Sequence, residues 1–263
     1  MNCLEKLRLF LLDMDGTIYL DNELFSGVIE FLEYIKSIGG RYIFLTNNSS
    51  NSVDKYIKKL ASLGITATAD DFLTSTDATI LYLNKKEYNK IYAFGTNSFK
   101  SQLNDASLPI IDKLEDGIDC LCMGFDTELS FKKLEDACIL LGKGIDYIAT
   151  NPDWVCPTWY GYVPDCGSVS QMLYNATKRK PIFIGKPEPT MVLLAMEKTG
   201  FNREETALIG DRLYTDIACG VNAGINSIFV LSGEGTMEDL EKSDVKPDFV
   251  YENIKVLYED IRK

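Results

Sequence analysis

The stretch Arg8-Leu9-Phe10-Leu11-Leu12-Asp13-Met14-Asp15-Gly16-Thr17 decides how this chain folds. From Leu9 to Leu12 it is apolar on both faces, the pattern of a strand in a parallel sheet covered by helices on both sides. Two acids then follow at i and i+2, and a glycine closes the segment. Carboxylates at a strand end cannot enter a core unpaired, so they need water, hydrogen-bond donors or a cation. Taken alone, the segment also reads as an ordinary solvated turn.

Working outward, Val28, Phe31, Leu32 and Ile35 recur at helical spacing and Gly39-Gly40 ends that stripe. Tyr42 to Leu45 reads as a second strand. Val53, Tyr56, Ile57, Leu60 and Leu63 form the next helical stripe, which Gly64 stops. Toward the other end, Pro181 to Ile184, Ala207 to Ile209 and Ser227 to Leu231 are short apolar strands, with helical stripes at Met191 to Lys198 and Ile217 to Ala223. Strands alternating with helices predict an α/β fold with a doubly wound, parallel-sheet, Rossmann-like core.

The middle of the chain behaves differently. Ile91 to Phe94, Cys120 to Phe125 and Tyr147 to Ala149 read as strands, with a helix near Phe131 to Leu141. A long loop is expected from Asn151 to Gly167, rich in proline, glycine and aromatics; loops of that length are usually functional. The expected division is a core made of residues 1–81 and 181–263, with an inserted α/β cap domain at 82–180.

Composition excludes several chemistries. The 263 residues include no histidine, so Ser-His-Asp triads, Cys-His pairs and HExxH zinc sites are ruled out. Acid–base chemistry falls to carboxylates, Lys, Cys, Tyr or metal-bound water. The formal net charge of −12 and the absence of a polybasic run argue against nucleic acid and anionic membranes as partners. No apolar run approaches the ~20 residues of a membrane span. The first residues read as a strand rather than a signal peptide. Seven cysteines without a regular framework indicate reduced thiols and a cytoplasmic setting. Cys120 and Cys122 would point the same way on a strand, but a metal site there lacks two further ligands. A Cys156–Cys166 redox pair is a second, unsupported option.

Four motifs stand at the C-terminal ends of expected strands, the edge where open α/β sheets bind ligands. They are Asp13-Met14-Asp15-Gly16-Thr17, Thr46-Asn47-Asn48-Ser49-Ser50, Gly185-Lys186-Pro187-Glu188-Pro189 and Gly210-Asp211-Arg212 with Asp216. Each alone has an ordinary reading as a turn or a helix cap. Together they are expected to bring Asp13, Asp15 and Asp211, with Asp216 beside them, to one spot, where like charges demand a cation. Oxygen ligands select a hard ion such as Mg²⁺. Lys186 and the donors after the second strand suit an anion, so the site reads as one for a metal and a phosphate together.

The order DxDGT, TNN, GKP and GDxxxxD resembles the haloacid dehalogenase superfamily, and within it the Mg²⁺-dependent phosphatases. The size and place of the insert resemble the NagD-like, 4-nitrophenyl phosphatase branch, as do LTNN, TNPD, GKPxP and GDRxxTDI. The resemblance implies that Asp13 is the nucleophile, forming an aspartyl-phosphate. Asp15 would protonate the leaving oxygen and then activate water. The ion would be held by the Asp13 carboxylate, the Asp15 main-chain carbonyl and Asp211, with Asp216 close by. Thr46 and the Asn47 amide would hold phosphate oxygens, Lys186 would offset their charge, and Arg212 would contact the anion or pair with a surface acid. Asp15 would have to be lifted from about 3.9 to near 7, a cost of about 4 kcal/mol, which closure of the cap is expected to supply.

The expected activity is hydrolysis of small phosphorylated metabolites of the nucleoside monophosphate or sugar phosphate type, with a homodimer through the cap as an open option. A catalytically silent phosphometabolite-binding protein is the alternative from another class. A haloacid dehalogenase is the sibling alternative, disfavoured because it has no need of Asp15 or Mg²⁺. A GxGxxG dinucleotide fingerprint is absent after the first strand. In the insert, Pro164-Asp165-Cys166-Gly167 replaces the family's Pro-Gly-Ala-Gly. Asp165 reads as surface-loop drift or as a contact to the leaving group. Trp154, Trp159, Tyr160 and Tyr162 read as a stacking wall or as packing of the cap's own core.

Overall fold

A computed structural model describes residues 3–158 and 160–263. Trp159, one of the aromatics singled out above, lies outside the described residues. The chain divides into two compact units: residues 1–46, 53–73 and 186–263 form the first, and 47–52 with 74–185 form the second.

The first unit is built on a six-stranded sheet in the order Phe249–Tyr251, Asn226–Val230, Thr206–Gly210, Leu9–Leu12, Arg41–Thr46, Phe72–Thr74. Leu9–Leu12 is buried at every position and pairs in parallel with both neighbours, Leu9 facing Thr206 on one side and Arg41 on the other. Chain order runs outward in opposite directions from these two central strands, so their carboxyl ends form the switch point where α/β sheets bind ligands. Helix Val28–Ser37 buries Val28, Phe31, Leu32 and Ile35, the stripe its spacing predicts. Phe31 meets Phe10 edge to face at 5.4 Å between ring centres, a geometry aromatic pairs favour. The helix expected at Ile217 to Ala223 is composite: a π-helical turn, Leu213–Ile217, runs into helix Ala218–Ala223.

The second unit carries its own five-stranded sheet, in the order Ile182–Phe183, Asp146–Ala149, Cys120–Met123, Ile91–Phe94, Ile110–Ile111, with parallel pairing throughout. Tyr92, Phe94, Leu121, Met123, Leu140, Tyr147 and Leu173 pack its core. Helices Phe131–Gly142 and Cys166–Thr177 supply part of that core. The strand expected near Pro181 forms, but its partner is Asp146–Ala149 in this sheet rather than a strand of the first unit.

The long loop expected at Asn151 to Gly167 is a second correction. Val155–Thr158 and Gly161–Pro164 pair as an antiparallel hairpin, Val155 opposite Pro164. Asp165 is neither loop drift nor exposed. It caps helix Cys166–Thr177, accepting from the Cys166 N–H, and it is buried. Burial, then the nearby Asp153 carboxylate, push Asp165 up to about 7. Tyr160 and Tyr162 are exposed, and Trp154 is half-exposed, so these three do not pack a core. Cys120 and Cys122 are both buried, which pushes the Cys122 thiol up to about 12 and leaves it inert. No helix among the described residues is long and apolar enough to cross a membrane.

Candidate active site

The end of strand Leu9–Leu12 delivers Asp13 to the switch-point edge, where its N–H donates to the Ile209 carbonyl at 2.9 Å. The neighbouring strand Thr206–Gly210 delivers Asp211 to the same edge. The π-helical turn then folds Asp216 back, so that its Oδ2 accepts from the Arg212 N–H at 3.1 Å. Carboxylate oxygens of Asp13, Asp211 and Asp216 consequently lie within 4.8 Å of one another. Among the described residues they form the one group of metal-ligating side chains this close.

Lys186 enters the same cluster. Its Nζ stands 2.5 Å from Asp13 Oδ1 and 2.6 Å from Asp216 Oδ1, and the side chain is 2% exposed. Burial by itself would lower the Lys186 pKa, but the two carboxylates reverse this and hold the ammonium charged well above its ordinary range. One ammonium cannot balance three acids. Burial first, and Asp216 second, raise Asp13 well above the carboxylate range and push Asp211 up to about 7.

The segment after strand Asn226–Val230 holds Asp211 in place. Its Oδ2 accepts from the Glu234 N–H at 2.6 Å, and its main-chain oxygen accepts from the Gly235 N–H at 3.0 Å. Its Oδ1 is buried with no hydrogen-bond partner among the described residues. A buried carboxylate oxygen left this way is costly unless a cation takes it up. Gly16 closes the cradle from the other side. It has φ of 90°, and a β-carbon there would collide with the Asp211 carboxylate. The surplus of negative charge, the oxygen-only donors and the unpartnered Asp211 Oδ1 fit a hard divalent cation.

Asp15 is placed apart from this cluster. Its side chain is 40% exposed and pairs with Lys59 at 3.5 Å, while the Tyr19 hydroxyl donates to Oδ2 at 3.4 Å. The Lys59 ammonium also lies 3.7 Å from the Tyr19 ring centre, a cation–π contact. Lys59 and Tyr19 were missed by sequence reasoning, because a lysine on an amphipathic helix carries no local signal. Thr46 is buried at the end of strand Arg41–Thr46. Asn47 follows it and opens the segment that belongs to the second unit, where its side chain donates to Asp153. Arg212 pairs through Nε with Glu234 at 2.8 Å.

Within unit one, then, the structure brings together Asp13, Lys186, Asp211 and Asp216. Two flanking parts of the chain match known families: residues 10–108 match the haloacid dehalogenase-like hydrolases, and 183–257 match a HAD-hydrolase-like family. The chain belongs to the haloacid dehalogenase-like hydrolases, in their NagD-like phosphatase branch.

Among individual relatives, a 4-nitrophenylphosphatase from Thermotoga maritima has a solved structure that superposes with a TM-score of 0.93. It is 43% identical, and the match covers 99% of this chain and 100% of that one. NagD from E. coli superposes with a TM-score of 0.86 at 30% identity, covering 95% of this chain and 97% of that chain. An acid sugar phosphatase from Staphylococcus epidermidis is 31% identical over 255 residues, 97% of this chain and 98% of its own. A glycerol phosphate phosphatase from Mycobacterium tuberculosis, solved with magnesium, is 27% identical with a TM-score of 0.91, covering 100% of this chain and 79% of that chain.

Proposed function

We propose that this protein hydrolyses phosphomonoesters of small metabolites through a covalent aspartyl-phosphate, with Mg²⁺ as its cation. The observation that carries the reading is the buried cluster of Asp13, Asp211 and Asp216 around Lys186, with Asp211 Oδ1 unpartnered. The names of the relatives, which include a sugar phosphatase and a glycerol phosphate phosphatase, support small phosphorylated substrates.

Asp13 attacks phosphorus with a carboxylate oxygen, and the bond from phosphorus to the ester oxygen breaks. The departing oxygen takes its proton from Asp15. Water then attacks phosphorus, Asp15 accepts the water proton, and the bond to Asp13 breaks to release phosphate. Lys186 offsets charge on Asp13, while Thr46, Asn47 and Arg212 are assigned to phosphate oxygens. Asp13, Asp211 and Asp216, with the Asp15 carbonyl, would hold the ion. When bound, it supplies electrostatic stabilisation and orientation for phosphoryl transfer. Substrate choice is assigned to the insert at 82–180.

The test is release of 4-nitrophenol from 4-nitrophenyl phosphate with Mg²⁺, with a chelator, and in Asp13→Asn. Turnover should require the metal and vanish in the variant. A variant retaining near wild-type activity would remove the covalent route, and metal-independent turnover would remove the cation.

A further inference from the structure

Asn47 is gripped on both its main chain and its side chain. Its carbonyl oxygen accepts from Ser75 Oγ at 2.6 Å and from Asn151 Nδ2 at 2.7 Å. Its Nδ2 donates to Asp153 Oδ1 at 3.0 Å. The Asp153 N–H in turn donates to Asn151 Oδ1 at 3.1 Å, so Asn151 and Asp153 act as one clamp. Asn47, Ser75, Asn151 and Asp153 are all buried. The fit also depends on Gly185, where a β-carbon would lie 2.5 Å from Asn47 Oδ1 and 2.6 Å from the Thr150 carbonyl oxygen.

A carboxylate at position 153 is an expensive choice. It is buried, and it stands near enough to Asp165 to push that carboxyl up. Asparagine would fill the same space at lower cost. What Asp153 adds is direction, because its Oδ1 accepts from the Asn47 amide. Asn47 accordingly presents its NH₂ to Asp153 and turns Oδ1 toward Gly185. With side chain and carbonyl both fixed, the backbone of the turn that begins at Asn47 has its orientation set.

We propose that Asp153 is a positioning residue for phosphate binding: it acts through Asn47, fixing the turn whose donors meet the phosphate. This rests on the assignment of Asn47 to phosphate made above. It explains why a polar residue of the insert, remote in sequence from the four motifs, is buried against one of them.

The test is a double-mutant cycle of Asp153→Ala and Asn47→Ala, read with 4-nitrophenyl phosphate and Mg²⁺ and with inorganic phosphate as inhibitor. Losing this buried hydrogen bond should raise KM and the phosphate inhibition constant about tenfold in each single variant. kcat should change by less than about threefold, the signature of lost ground-state binding. The double variant should be no worse than Asn47→Ala. Asp153→Asn should recover most of the phosphate affinity, since its carbonyl oxygen can still accept from Asn47. Losses that multiply in the double variant, or an Asp153→Ala enzyme with unchanged constants, would overturn the proposal. If Asp153→Ala does not fold, Asp153→Ser carries the same cycle. A wild-type chain with neither metal-dependent turnover nor phosphate inhibition would instead sink the phosphatase reading itself.

Discussion

Lys186 and Asp216 form an ion pair at 2.6 Å in which both side chains are almost sealed from solvent. Removing one partner of a buried pair leaves the other's charge uncompensated, which typically costs about 3–5 kcal/mol. Here the loss would strand three carboxylates together. Lys186→Met should therefore lower the melting temperature measured in chelator, and added Mg²⁺ should recover part of the difference. Its turnover of 4-nitrophenyl phosphate should fall at least about a hundredfold, as when one stabilising donor is lost from an active site.

Asp15 stands outside the acid cluster, paired with Lys59, so its side chain should matter for proton transfer and little for the ion. Asp15→Asn should reduce kcat by about 10²–10⁴-fold, the usual worth of a positioned acid or base. The rise in melting temperature on adding Mg²⁺ should be retained. A variant that lost the metal-induced shift as well would place the carboxylate among the ligands.

Metal removal should make stability depend on pH in a definite direction. Asp13 and Asp211 are raised in the folded protein, Asp211 to about 7, above the range of an unfolded carboxylate. Between about 4 and 7 the folded state keeps protons that the unfolded state has lost, so stability falls as pH rises through that window. Thermal melts in chelator should show this decline. With Mg²⁺ present the decline should flatten, because the ion replaces the protons and binds more tightly as pH rises.

Asp165 offers the same sign in the second unit without a metal. Burial and Asp153 push it up to about 7, so stability falls as pH rises from about 4 through 7 and the loss is complete above that. A rise of that size corresponds to on the order of 4 kcal/mol. Asp165→Asn keeps a good helix-capping residue and removes the charge. The variant should melt above the wild type at pH 8 and close to it only near pH 4, about the unfolded carboxylate's own pKa.

The central strand, the switch-point edge and the acid cluster were legible because each is written locally. An apolar run ending in Asp13-Met14-Asp15-Gly16 permits few foldings, and Asp211 follows a similar run. What stayed hidden depended on distant partners. The Glu234 N–H that holds Asp211 is a backbone group with no residue signature. Lys59 reaches Asp15 only after its helix packs. The hairpin at Val155–Thr158 and Gly161–Pro164 was masked by Pro157 and Pro164, residues that normally argue against strands. Ile182–Phe183 could not be allotted from its pattern, because both sheets are parallel and ask for the same short apolar run.

The grip on Asn47 bears on how this chain could be recombined with its relatives. A chimera that exchanged residues 82–180 alone would import a foreign Asn151 and Asp153 while keeping the native Asn47 they bond. The transplantable cassette is discontinuous. It comprises 47–52 together with 74–185, and hybrids joined at those borders should express as folded protein where simpler grafts aggregate.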